Sequence, residues 1–180
     1  MGIQRPYKKK IAQWRSEGYI IFAEDEAIIS VNPNCRKLWA PKGSKPIMLV
    51  NGSHKNVCFF GVVSDEGNHC CTREWINEDS FIWFLKYIKK HHEKFVMLAD
   101  RATHHFKSKK VMDFVKQNEG RIVLWPFPKR LPELNPMEMG WKSSRKNVTY
   151  KLFDNAKRMA SAVKNHVRCE FKVNLAKFWS

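Results

Sequence analysis

Apolar positions along the chain fall into short unbroken runs and longer stretches with a helical repeat. The run "GYIIFAEDEA" (18–27) ends in acids and predicts a buried strand with carboxylates at its C-terminal end. "NVCFFGVVSDEG" (56–67) predicts a second strand closed by an Asp-Glu-Gly turn, and the intervening "LWAPKGSKP" is rich in turn residues. "NEDSFIWFLKYIKKHH" (77–92) opens on capping residues and sets Phe81, Phe84, Leu85 and Ile88 on one face, with lysines late. That is an amphipathic helix whose charges suit its dipole. "KFVMLAD" (94–100) reads as a strand closed by an acid, "HHFKSKKVMDFVKQN" (104–118) as a helix and "GRIVLW" (120–125) as a strand.

From Met137 onward the pattern is helical. Ala156, Met159, Ala160, Val163, Val167, Phe171 and Leu175 make one stripe at a 3.6 period, opposite Lys157, Lys164, Arg168 and Lys172. The order strand, strand, helix, strand, helix, strand, helix, helix is an α/β pattern. In open α/β sheets, sites lie beyond the carboxyl ends of strands. Asp25 and Asp100 are both expected there.

Charge changes the picture most. The 180 residues hold 33 Lys and Arg against 17 Asp and Glu, a net +16. Such a surface attracts polyanions, nucleic acid before anionic membrane. The first 15 residues carry five cations (Arg5, Lys8, Lys9, Lys10, Arg15) and no acid, and read as a basic arm or linker over residues 1–17. Beyond Glu138, ten Lys and Arg face only Asp154 and Glu170. An apolar content of 43% excludes a disordered chain, and no apolar run approaches the length of a spanning helix. Five cysteines without a C-x-x-C suit free thiols in a reducing compartment. "HCC" (69–71) and the pairs His91-His92 and His104-His105 lack the spacing of a closed zinc site.

Against this basic background three acids stand out by position. Asp25 and Asp100 end apolar runs, and Glu138 falls where a new helix begins in "RLPELNPMEMGW" (130–141). Singly, Asp100 could be a helix cap and Glu138 a first-turn acid favoured by the macrodipole. Brought together, each like-charge pair at 4 Å costs roughly 4 kcal/mol at an effective dielectric near 20. A fold keeps such a cluster if a divalent cation occupies it. Mg²⁺ takes hard oxygens, and two ions can clamp the attacking and leaving oxygens of a phosphoryl transfer.

At these residues the chain resembles the catalytic domain of insertion-sequence transposases of the mariner-type superfamily. The matching segments are "FAEDEA", "LWAPKGSKP", "FVMLADRATHHF" and "LPELNPMEMGW", in the family's order, with 37 residues between Asp100 and Glu138. The resemblance implies a ribonuclease-H-like α/β fold, a mixed central sheet flanked by helices, over residues 18–180. It implies Asp25, Asp100 and Glu138 as catalytic metal ligands for Mg²⁺ or Mn²⁺, two ions, with Glu26 a neighbour rather than a ligand. His105 is expected near a phosphate or next to the ligands, with a merely satisfied helix-start histidine as the alternative. Asn135 is expected to set the loop presenting Glu138, and Trp141 to anchor that helix.

The implied partners are DNA, as transposon ends and target, and a second copy of the chain, with no membrane. Lys42, Arg101, Lys129, Arg130, Lys142, Arg145, Lys146, Lys157, Lys164 and Arg168 are the candidate DNA contacts. Two departures matter. Arg101 stands where the family has Asn, and "KRL" (129–131) replaces its Pro-Tyr-Ser. The helix-turn-helix modules that read transposon ends have no counterpart in the short basic arm, so a separately encoded reader is expected. The activity expected is metal-dependent DNA cleavage and strand transfer. The alternatives are a non-catalytic DNA-binding remnant or regulator, and a nuclease for RNA–DNA hybrids or branched DNA.

Overall fold

The computed structural model describes residues 4–32, 39–47, 50, 52–129 and 131–179. Its strands are β1 (Ile20–Ser30), β2 (Asn56–Val63), β3 (His69–Arg73), β4 (Phe95–Ala99) and β5 (Ile122–Pro126). They form one sheet in the order β3-β2-β1-β4-β5. β2 pairs antiparallel with both β1 and β3, while β4 pairs in parallel with both β1 and β5. The helices are α1 (Gln4–Ser16), α2 (Glu78–His91), α3 (Thr103–Phe106), α4 (Lys109–Gln117), α5 (Pro136–Val148), α6 (Ala156–Asn165) and α7 (Ala176–Trp179).

Strand alternation divides the core in two. Ile21, Ala23, Ala27 and Ile29 of β1 face α1, α5 and α6, packing with Trp14, Met137, Trp141, Met159 and Val163. Phe22 of β1, Phe60 and Val62 of β2 and Phe95 and Met97 of β4 face the other way. There they meet Phe81, Phe84, Leu85 and Ile88 of α2 and Val111 of α4. Helix α2 forms as its pattern predicts: Asn77 caps it by accepting the Ser80 N–H at 2.9 Å, and lysines close it. Ser108 interrupts the expected single helix after His104, capping α4 and donating to Glu78 at the start of α2.

The sequence expectations need four corrections. β1 does not end at its acids but runs five residues past Asp25, paired with β2 all the way to Ser30↔Asn56. The basic arm is instead a helix in the core, with Tyr7, Ile11 and Trp14 buried at i, i+4 and i+7. "HCC" opens β3, which returns from the Asp-Glu-Gly turn to pair with β2. The C-terminal stripe is buried as expected at Met159, Ala160, Val163, Val167, Phe171 and Leu175, but α6 gives way to a π-helical turn over His166–Glu170.

Gly61 lets α5 lie directly on the sheet. A Cβ there would sit 2.7 Å from the Trp141 ring and 2.8 Å from the Met137 methyl. Gly61→Ala therefore overpacks the contact and should cost about 1–3 kcal/mol, read as a lower denaturant midpoint with an unchanged slope.

At the β3–α2 corner, His69 Nε2 lies 2.8 Å from His92 Nε2, and Phe22 packs edge-on against both rings. Burial first, then His92, His91 and Arg168, pulls His69 down to about 4 from its usual 6.5. The unfolded chain thus takes up this proton near pH 6.5 and the folded one only near pH 4, so the stability present above 6.5 is lost as pH falls across that window. His69→Gln should show a smaller fall in urea midpoint between pH 7 and 4.5 than the parent. Equal falls would count against this account.

Candidate active site

The parallel register between β1 and β4 brings the first two acids side by side. Ala23 pairs with Leu98, and two residues further along each strand stand Asp25 and Asp100. β4 stops at Ala99 while β1 continues, so Asp100 sits where the sheet opens beside an uninterrupted strand. The third acid comes from α5. Pro136 occupies its first turn, and Asn135 caps it by accepting the Met137 N–H at 3.0 Å. The Asn135 amide also donates to the Glu24 carbonyl at 3.0 Å, which ties the start of the helix to β1 beside Asp25. One turn on, Trp141 is 1% exposed and rests over Gly61, the β2 partner of Asp25.

Asp25, Asp100 and Glu138 consequently line one cavity of about 490 Å³ with Arg101, Phe127, Pro128, Lys129, Leu131 and Asn135. Burial, then the charges of Glu138, Glu26 and Asp100, pushes Asp25 up to about 8. Asp100 goes the other way: the hydrogen bond from His105 holds it below its usual range despite partial burial. Two neighbouring carboxylates with opposite displacements require different surroundings, and His105 is the difference.

His105 is fully buried on α3. Its Nδ1 lies 3.0 Å from Asp100 Oδ1 and its Nε2 2.9 Å from Glu26 Oε1. Burial alone would lower this imidazole, but Asp100, Glu26 and Glu24 raise it to about 11. It is not among the residues that line the cavity, and it reaches the cavity through its contact with Asp100. Glu26 and Glu24 lie on the opposite face of β1 from Asp25. Burial pushes Glu26 up, but hydrogen bonds from His104 and His105 outweigh it and hold the carboxyl below its usual value. The sequence reading gives Glu24 no role and weighs His104 only as half of a pair without zinc spacing. Alternation along β1 was the available signal, because residues 24 and 26 must share a face that residue 25 does not.

The proposed DNA contacts separate by position. Arg101 and Lys129 line the acidic cavity, and Arg101 Nε also donates to the Phe127 carbonyl at 3.1 Å. Lys42, Lys142, Lys146 and Lys157 are exposed. Arg145 borders a small crevice with Ser30 and Thr149, away from the acids. Arg168 donates to the Cys70 carbonyl of β3, and Lys164 acts on the same cysteine, so this pair belongs to the far edge of the sheet. Arg130 lies outside the described residues. Among the described residues the cysteines Cys58, Cys70, Cys71 and Cys169 are free thiols, and no helix is long and apolar enough to cross a membrane.

Solved structures share this architecture. The Mos1 transposase paired-end complex with left transposon end matches with a TM-score of 0.67 and 16% identity, over 98% of this chain and 56% of that one. The mariner Mos1 paired end complex with Mg matches with a TM-score of 0.65 and 16% identity, over 96% and 55%. A simian T-cell lymphotropic virus intasome in complex with PP2A regulatory subunit B56 gamma matches at 0.58 and 7%, over 86% and 50%. The chain therefore spans about half the length of these proteins. No curated protein matches it in sequence. The sheet order and these neighbours define a ribonuclease-H-like fold. The DDE superfamily endonuclease profile matches residues 20–160, and the chain belongs to that family.

Asn135→Ala removes a helix cap and leaves the buried Glu24 carbonyl without its donor. A loss of about 1–2 kcal/mol in chemical denaturation is expected. A change within a few tenths of a kcal/mol would mean that Asn135 does not hold α5 to the sheet.

Proposed function

We propose that residues 18–180 act as a transposase catalytic domain, cleaving DNA phosphodiesters and joining the freed 3′ ends to target DNA. The observation that carries this reading is the meeting of Asp25, Asp100 and Glu138 in one cavity within a chain of net charge +16. The donor set suits Mg²⁺ or Mn²⁺: three carboxylates offer hard oxygens, and Asp25 is displaced upward by burial and then by its acidic neighbours, a charge repulsion that a cation would relieve. The Mos1 complexes, described with Mn and with Mg, support the same class of ion. When bound, such ions neutralise charge developing on the phosphate and activate the attacking hydroxyl or water.

The remaining work falls to the chain. His105 fixes the Asp100 carboxylate, and Asn135 fixes the helix that carries Glu138. Lys129 and Arg101, on the wall of the cavity, attract the DNA backbone, and the exposed lysines of α5 and α6 extend that field. Recognition of particular DNA ends is assigned to a helix-turn-helix reader outside these residues, and pairing of two ends to a second copy of the chain. Arg101, beside Asp100, favours the alternative of a DNA-binding protein without cleavage, which the following experiment separates.

Asp100→Ala and Glu138→Gln should each lower Mn²⁺-dependent cleavage of duplex DNA by at least about a hundredfold. DNA binding, measured by fluorescence anisotropy, should survive and weaken steeply with added salt. Cleavage at parental rates in both variants would overturn the assignment. Binding without cleavage in the parent under Mg²⁺ and Mn²⁺ would favour the non-catalytic alternative.

A further inference from the structure

We propose that Glu26, His104 and His105 hold one transition-metal ion of the zinc class, with the buried carboxyl of Glu24 beside them, on the face of β1 opposite the three acids of the cavity. The His104 and His105 Nε2 atoms both lie 2.9 Å from Glu26 Oε1. One ligand atom from each of these three residues falls within 4.8 Å of the others. Glu24 Oε2 stands 3.9 Å from His105 Nε2. A tetrahedral Zn²⁺ with bonds near 2.0–2.1 Å holds its ligand atoms about 3.3 Å apart, close to the 2.9 Å contacts that Glu26 makes with both imidazoles.

Glu24 is the second, independent observation. Its side chain is 0% exposed, and neither carboxylate oxygen has a hydrogen-bond partner. A buried carboxyl without partners carries a desolvation cost that proteins rarely leave standing. Here it stands 3.9 Å from the His105 imidazole, where its negative charge would favour a cation bound to that ring. Entry of an ion would exchange the hydrogen bonds that His104 and His105 make to Glu26 for metal bonds through the same nitrogens.

The outer contacts are those of a metal-bound histidine. Nδ1 of His105 lies 3.0 Å from Asp100 Oδ1, which fixes the ring so that Nε2 faces Glu24 and Glu26. His104 is 23% exposed and opens the cluster to solvent, giving an ion a way in. Imidazole donors select the zinc class over Mg²⁺, which prefers oxygen and water. The site is therefore chemically distinct from the acidic cavity and does not depend on that cavity being catalytic.

Cobalt titration of the tag-free, chelator-treated chain in excess Mg²⁺ tests the proposal. One equivalent of Co²⁺ should bind with a visible d–d band that Zn²⁺ displaces. His104→Ala and Glu26→Gln, checked for folding by circular dichroism, should each weaken binding at least tenfold. Asp25→Asn combined with Glu138→Gln should leave the band in place; Asp100 is spared because it touches His105. No stoichiometric binding in the parent would overturn the proposal and identify the cluster as a histidinium ion pair. A band that survives His104→Ala would also overturn it, placing the ion elsewhere, for example at His69 and His92. A band lost with the Asp25 and Glu138 changes would assign it to the acidic cavity.

Discussion

Three consecutive carboxylates on one largely buried strand, Glu24, Asp25 and Glu26, are the constraint around which the rest of this molecule is arranged. Neighbouring like charges a few ångströms apart in a partly desolvated setting repel by several kcal/mol. A strand cannot separate its residues along the chain, but its alternation sends the middle one to the opposite face. The two faces then resolve the repulsion differently. On the α2 side the chain supplies its own answer, with His104 and His105 converging on Glu26. On the α5 side Asp25 meets Glu138 and Asp100, and its affinity for protons rises. Histidines thus meet the charge of Glu26 on one face, while the other gathers Asp25, Asp100 and Glu138 around one cavity.

Holding Glu138 near Asp25 against that repulsion takes more than a helix in the neighbourhood. The capping side chain of α5 is itself hydrogen-bonded to the backbone of Glu24, so the helix start is referenced to the strand that carries Asp25. One turn later the Trp141 ring occupies the space left by the missing side chain of Gly61, across the ladder from Asp25. The two attachments bracket Glu138 from either side. A functional side chain must be held to within about half an ångström, which two attachments on one helix achieve better than one.

Much of this was legible in the sequence, and the failures share one physical cause. The α2 pattern, the apolar run of β4 and the Asn-Pro start of α5 are local signals, and the structure keeps all three. The acids of the cavity stand out by position, two at the ends of apolar runs and one at a helix start, and family motifs surround all three. Where charge and burial conflict, local reading broke down. The acids at 24–26 interrupt the apolar run and hide the continuation of the strand, although Ala27, Ile29 and Val31 continue one buried face. Five cations masked Tyr7, Ile11 and Trp14, three core residues of α1. β3 is only five residues long and is recruited by β2, a contact that no local propensity encodes. The Glu26–His104–His105 cluster joins positions 78 and 79 residues apart, visible only once β1 and α3 are placed together.

Asp100 connects the two faces. The Ala102 N–H donates to its Oδ1 at 2.9 Å, and His105 Nδ1 reaches the same oxygen at 3.0 Å. Two donors on one oxygen fix the plane of the carboxylate and leave Oδ2 to the cavity, where 56% of the side chain is exposed. The charge on His105 therefore governs how strongly Asp100 is held, and Glu26 and Glu24 govern the charge on His105. A chain of contacts runs from a buried cluster on one side of the sheet to a carboxylate on the other through a single imidazole. Whatever occupies the buried side, proton or metal, sets the electron density that Asp100 can offer on the open side.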